Sequence, residues 1–166
     1  MNPVEQTMRR VAEDVFASLA FMFPVDADPA TASQEPPKRA AIDFRGPVNG
    51  TLVLSVAEEM LGPLASNMLG LEDGVLPSAA QKQDALKEIL NVICGNLLPA
   101  IVSSREVFSI GAPRLLPDGQ SCLPPDGRTS AVTARISLDA GHVCLTLLLP
   151  SDQLIAGAVV VWEAKA

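Results

Sequence analysis

A carboxylate and a carboxamide stand three positions apart near the middle of the chain, at Glu88 and Asn91. In an α-helix that spacing places two side chains side by side, with about 5–6 Å between their β-carbons. Asp84 and Gly95 belong to the same set, because the spacing i, i+4, i+7, i+11 keeps all four residues within roughly 60° of helix surface. The pattern therefore predicts a helix that presents an acid and an amide together and leaves space on the next turn.

Asn91 and Gly95 are poor choices for a helix surface that only has to be stable. In a helix interior, Asn costs several tenths of a kcal/mol and Gly about 1 kcal/mol relative to Ala. Pro99 is a third unfavourable residue and is expected to bend the helix near its end. A single acid such as Glu88 most often only faces solvent, and that interpretation stays open. Two poor helix formers beside it favour a surface that a partner approaches closely.

The opposite side of the same segment is apolar and is expected to pack on a sheet. Its members are Leu86, Ile89, Leu90, Ile93 and Leu97. Ser78 and Gln81 have the spacing of a capping box, so the helix is predicted to begin there. We expect it to continue to about Ser104.

The other elements predict an α+β fold with a mostly antiparallel sheet and helices packed on it, in one domain spanning residues 1–166. The expected helices are Val4–Phe23 and a segment that a second capping-box spacing, Ser55 with Glu58, opens and that ends at Gly70, with a kink or a restart at Pro63. The expected strands are Ala41–Phe44, Thr51–Ser55, Val107–Ile110, Val132–Leu138, Val143–Leu149 and Ala156–Trp162, the last as a strand or a short helix followed by one. The Pro-rich stretches Val25–Lys38 and Leu116–Arg128 are predicted to be loops.

Charge and cysteine content exclude several classes of function. The chain has 166 residues, 12 basic and 19 acidic, with a net charge of −7, which disfavours nucleic acid and anionic membrane surfaces as partners. The apolar runs are too short to span a bilayer. The three cysteines are widely spaced and form no CxxC pair, so neither a disulfide framework nor a metal site is predicted. We expect a cytoplasmic protein.

The extended pattern Asp84-x-x-x-Glu88-x-x-Asn91-x-x-x-Gly95-Asn96 resembles the signature of the CheC/CheX/FliY chemotaxis phosphatases, whose core is Glu-x-x-Asn. The chain looks most like the CheX branch, since it has one such motif where CheC typically has two. Three other features also look CheX-like: Gly46 and Gly50 between the first two strands, Met68-Leu69-Gly70 at the end of a helix, and Gly111-Ala112-Pro113 after the motif. The resemblance extends over about Val4–Leu149.

The resemblance implies hydrolysis of the aspartyl phosphate on a CheY-like receiver domain. It makes Glu88 and Asn91 the catalytic residues and Asp84, Gly95 and Asn96 contacts to the partner. It implies no cofactor of the protein's own, because the receiver is expected to supply Mg²⁺ and a lysine. CheX-like proteins are similar in forming dimers through their sheet, so a homodimer is also expected. Two alternatives stay open: a non-catalytic module that docks on a receiver or another signalling partner, and a dimeric scaffold.

Overall fold

A computed structural model of the chain describes residues 3–27, 37–102, 107–123 and 127–150. Within these residues three α-helices and six strands form an α+β fold, and every strand pairs antiparallel to its neighbours. The helices are α1 (Pro3–Ala20), α2 (Leu61–Leu69) and α3 (Ala79–Ile101). The strands are β1 (Lys38–Arg45), β2 (Gly50–Val56), β3 (Ser109–Ile110), β4 (Arg114–Leu116), β5 (Thr129–Leu138) and β6 (Gly141–Pro150). The predicted fold class is confirmed.

The sheet has the order β3-β1-β2-β6-β5, and β4 pairs with the same edge of β1 as β3 does. β5 and β6 form a hairpin closed by a two-residue turn, with Leu138 opposite Gly141. β1 and β2 form a second hairpin, with Phe44 opposite Gly50. A β-carbon at Gly50 would collide with the carbonyl oxygen of Leu148 on β6. Glycine is therefore required where these two hairpins meet.

One face of the sheet carries the core, because alternate strand residues point to the same side. On β5 these are Val132, Ala134, Ile136 and Leu138, all buried as the alternation predicts. α1 and α3 pack on this face, α2 packs against α1 and α3, and all three helices share one apolar cluster with the sheet. A smaller cluster lies on the other face, where Leu116 and Cys122 pack on Ala41, Val53 and Leu148. The helices are thus anchored on one side of the sheet.

The first helix ends at Ala20, so the prediction that it reaches Phe23 was wrong. Phe21 has a left-handed backbone with φ of 54°, and the amide of Met22 donates to the carbonyl of Phe16 at 3.2 Å. Beyond the helix, Pro24 forms a bridge to Leu138 at the edge of β5. The chain leaves the helix early because its extended segment can pair with the sheet.

The predicted capping box of Ser55 with Glu58 was also wrong. Ser55 lies in β2 opposite Cys144 of β6, so its backbone belongs to the sheet. A short 3₁₀ turn at Glu58–Met60 follows, and α2 begins at Leu61 without a side-chain cap. Ser55 and Glu58 have the spacing of a cap, but the sheet contacts decide the conformation of Ser55.

Of the two expected effects of Pro63, a kink or a restart, the structure has the restart: the 3₁₀ turn at Glu58–Met60 is followed by α2 from Leu61, two residues before the proline. Pro63 is the third residue of the helix, where the backbone N–H has no intrahelical acceptor and proline therefore removes no hydrogen bond. The helix ends as predicted at Gly70, which is left-handed with φ of 65°. The amide of Leu71 donates back to the carbonyl of Ser66 at 3.0 Å and closes the helix end.

The remaining strands differ from the prediction in their length or number. β5 and β6 each have ten residues, whereas the pattern predicted Val132–Leu138 and Val143–Leu149. β4 lies where the Leu116–Arg128 loop was expected to begin, and β3 is confined to two residues of the predicted Val107–Ile110 strand. The predicted element Ala156–Trp162 lies outside the described residues, whereas α3 ends at Ile101, short of the expected end near Ser104, because Val102 has an extended backbone. None of the helices in the described ranges is both long enough and apolar enough to cross a bilayer.

Candidate functional site

The start of α3 is set by the capping box predicted from the sequence. The hydroxyl of Ser78 accepts from the backbone amide of Gln81 at 3.1 Å, and the Gln81 side chain accepts from the amide of Ser78 at 2.8 Å. Both bonds satisfy backbone donors that have no partner inside the helix. α3 then runs for 23 residues to Ile101. A helix of this length, fixed at its first residue, presents its side chains on defined sides.

Burial fixes the rotation of α3 about its own axis. All five apolar residues predicted to pack on the sheet are at most 1 % exposed. Four further residues complete this buried side: Ala85, Cys94, Leu98 and Ile101. Because these side chains are anchored in the core, the opposite side of the helix must point into solvent.

The predicted stripe lies on that solvent side. Asp84, Glu88, Asn91 and Gly95 are all exposed. Neither Glu88 nor Asn91 has a hydrogen bond or ion pair with another described residue. An acid and an amide one turn apart on a rigid helix are therefore free to contact a molecule that approaches from solvent.

Asp84 and Asn96 occupy the margins of this surface. The carboxylate of Asp84 lies 3.6 Å from the ammonium of Lys87, and its side chain is 75 % exposed. Such an exposed pair contributes little to stability, but it partly engages Asp84 within the helix. Asn96 is exposed and lies about 80° around the helix from Glu88. The structure thus brings Glu88, Asn91 and Gly95 together and leaves Asp84 and Asn96 beside them.

Gly95 is not required by the packing of its own chain. A β-carbon built at this position would meet no atom within 4 Å. This contrasts with Gly50, where the neighbouring strand fills the same space. Gly95 therefore keeps a cost of about 1 kcal/mol in helix stability without an internal packing reason.

The buried side of α3 carries no chemistry that competes with the stripe. Burial raises the pKa of the Cys94 thiol to about 12, so the sulfur stays protonated and is a poor nucleophile at neutral pH. Cys94, Cys122 and Cys144 are all free thiols. No group of three or more His, Cys, Asp or Glu side chains in the described ranges is placed to hold a metal ion.

The sequence model of the family described as chemotaxis phosphatase CheX matches residues 39–133, which is more than half of the chain and includes all of α3. The chain belongs to the CheX family. A search of curated protein sequences gave no significant match.

Solved structures of the CheX, CheC and FliY proteins share the fold. A chemotaxis protein CheX from Desulfovibrio desulfuricans superposes with a TM-score of 0.69 at 16% identity, covering 89% of this chain and 99% of the other. FliY from Thermotoga maritima gives a TM-score of 0.62 at 13% identity, covering 100% and 99%. A complex of CheX with CheY, BeF₃ and Mg²⁺ from Borrelia burgdorferi gives 0.60 at 16%, covering 87% and 95%. At these identities the likeness establishes the CheX fold.

One exposed feature beside α3 was not predicted from the helical periodicity of the sequence. Leu76, two residues before the capping serine, is 88 % exposed although the next residue, Pro77, is buried. The segment before the helix has no regular period, so its exposure could not be read from the sequence. A cluster of three apolar residues in a turn-rich stretch, Leu71, Val75 and Leu76, was the available signal.

Proposed function

We propose that this protein removes the phosphoryl group from the aspartyl phosphate of a CheY-like receiver domain, with Glu88 and Asn91 as the catalytic residues. The observation that carries the proposal is the solvent-facing pair itself. Both side chains are exposed on α3 and are unengaged by the other described residues. Membership of a family described as chemotaxis phosphatases supports the same activity.

Hydrolysis of an aspartyl phosphate requires few groups from the protein that catalyses it. Water attacks the phosphorus, the bond between phosphorus and the aspartyl oxygen breaks, and inorganic phosphate and a free carboxylate result. The carboxylate is a good leaving group, and we expect the receiver to hold Mg²⁺ and a lysine at its own site. Phosphoryl transfer is catalysed chiefly by positioning and electrostatics. The contribution left to this protein is to place one water molecule in line with the breaking bond.

Asn91 suits this role because its amide can hydrogen-bond a water molecule without adding negative charge beside the phosphoryl oxygens. Glu88 can form a charge-assisted hydrogen bond with the receiver lysine and so fix how the helix enters the site. Gly95, one turn further, lets the partner backbone come close. Asp84 and Asn96 would contact the rim of the receiver site. A rigid helix holds these groups more accurately than a loop would.

The test is a phosphate-release assay with phosphorylated receiver domains of the same organism. We expect the wild-type protein to accelerate phosphate loss and Asn91→Ala to reduce that acceleration about 100-fold, as for removal of one positioned catalytic donor. Glu88→Ala should also weaken receiver binding. Gln83→Ala is the matched control for the catalytic step, because it removes an exposed carboxamide from the same helix, about 12 Å along the axis from Asn91.

Two outcomes would contradict the proposal. One is that the wild-type protein accelerates phosphate loss from none of the receivers. The other is that receiver binding survives both Glu88→Ala and Asn91→Ala with an unchanged phosphate half-life, which would indicate a non-catalytic docking module. Circular dichroism and thermal unfolding of each variant exclude misfolding as the cause.

A further inference from the structure

The connection between α2 and α3 exposes apolar side chains directly before the helix that carries Glu88 and Asn91. In this segment, residues 69–76, Leu69 is 52%, Val75 49% and Leu76 88% exposed. We propose that the 69–76 segment, with Leu76 as its main contact, is a second docking site for the receiver domain that the α3 stripe serves. This inference rests on the proposed function and identifies where binding energy comes from.

The shape of the 69–76 segment is fixed before any partner binds. At its start, the left-handed Gly70 and the bond from Leu71 to Ser66 close α2. In its middle, the amide of Val75 donates to the carbonyl of Glu72 at 3.1 Å. At its end, the buried Pro77 leads into the capping box of α3. A preformed segment loses little conformational entropy on binding, so its contacts contribute to affinity.

The α3 stripe by itself lacks the kind of residue that supplies binding energy. Its members are two carboxylates, one amide and a glycine, and the neighbouring Asn96 adds a second amide. Burial of apolar surface is the dominant favourable term in most protein–protein association, and polar contacts around it add specificity. The stripe therefore needs an apolar anchor from a neighbouring segment.

The 69–76 segment is close enough to the stripe to share one partner. Glu88 lies ten residues after Ser78, which is about 15 Å along the helix at 1.5 Å per residue. An interface of standard size buries about 800 Å² on each partner, a patch roughly 30 Å across. A patch of this size can include both Glu88 and the start of α3, so one receiver domain can contact both. Leu76 would then contact apolar surface beside the phosphorylation site of the receiver domain.

The experiment separates binding from catalysis by measuring KM and kcat for phosphate release. We expect Leu76→Ser to raise KM about tenfold, as for loss of an interface anchor, and to leave kcat unchanged. Leu76→Met keeps an apolar side chain of similar volume and should restore most of the affinity. Asn91→Ala should show the opposite pattern, with kcat lowered.

Val107→Ser is the matched control. Val107 is 89% exposed, as Leu76 is, but it lies beyond the other end of α3. We expect its KM to match the wild type. Because both positions are almost fully exposed, neither substitution should change the melting temperature.

The outcomes distinguish this inference from the proposed function. If Leu76→Ser leaves KM unchanged, or Val107→Ser raises it equally, the docking site is wrong while the phosphatase activity stands. If the wild type releases no phosphate from any receiver, the proposed function fails. In that case, isothermal titration calorimetry with the phosphorylated receiver tests the docking site independently of catalysis. Weaker binding by Leu76→Ser would support the site, and equal binding or none would overturn it.

Discussion

The two sides of α3 differ in the kinds of residue that they carry and in how those residues are packed. On the side that faces the sheet, residues such as Ile89 and Ile93 are fully buried and are apolar and strongly packed. On the solvent side, Asn91 and Gly95 are poor helix formers: the Asn91 side chain makes no hydrogen bond with the described residues, and a β-carbon at Gly95 would meet no atom within 4 Å. One helix thus has one side whose residues stabilise the fold and another side whose residues lower the stability of the helix.

This difference separates the two properties experimentally. Substitutions on the buried side should change the free energy of unfolding and leave the activity of each folded molecule intact. Substitutions on the solvent side should change the activity, and those that replace a poor helix former should leave the stability equal or higher. Such a separation is expected when function requires residues that stability alone would not select.

The largest expected effect is on the buried side, at Ile89. It is 0% exposed and lies within the cluster shared by the helices and the sheet. Ile89→Ala should lower the free energy of unfolding by about 3 kcal/mol, from lost burial and the cavity that remains. Urea unfolding followed by circular dichroism measures this. A loss below about 1 kcal/mol would show that the side chain is not packed as described.

A smaller loss is expected at the cap that both sides of the helix share. Ser78→Ala removes the bond to the Gln81 amide and should cost about 1 kcal/mol. Ser55→Ala is the control, because Ser55 also lies three positions before a residue that could complete a capping box, Glu58, but it lies in β2 and makes no cap. Its effect should stay within about 0.5 kcal/mol. Equal losses in the same urea experiment would contradict the difference between the two serines.

The smallest expected effect is a gain in stability, at Gly95. Gly95→Ala should raise the free energy of unfolding by about 0.5–1 kcal/mol, because alanine favours the helix and its β-carbon meets no other atom. If a partner approaches closely here, the same substitution should raise KM for the receiver. Thermal unfolding and phosphate release on one preparation test both parts. A more stable variant with unchanged kinetics would show that the glycine serves no partner.

The sequence predicted most where a pattern is local and repeated. The rotation of α3, its cap at Ser78 and the alternation of Val132–Leu138 follow from periods of 3.6 and 2 residues and from one short-range hydrogen-bond pair. These features depend on residues only a few positions apart. The proposed site belongs to this class, so its exposed stripe could be identified from the sequence.

Prediction failed where a distant segment competes for the backbone. Ser55 has cap spacing, yet the ladder with β6 keeps it in a strand. Phe23 continues the apolar period of α1, yet its carbonyl accepts from the amide of Asp139 at 2.9 Å, beside the edge of β5. β4 pairs with β1 through only three residue pairs. In each case partners far away in the sequence decide the outcome.

The order of residues alone determined which side of α3 is apolar and which carries Glu88 and Asn91, because a helix converts spacing directly into direction. Only the tertiary structure decided that the acid and the amide stay unengaged, that Gly95 faces open space while Gly50 is enclosed, and that Leu76 is exposed. The physical reason is that the environment of a side chain depends on which other segments pack nearby. Those contacts are set by the whole core and not by neighbours in the chain.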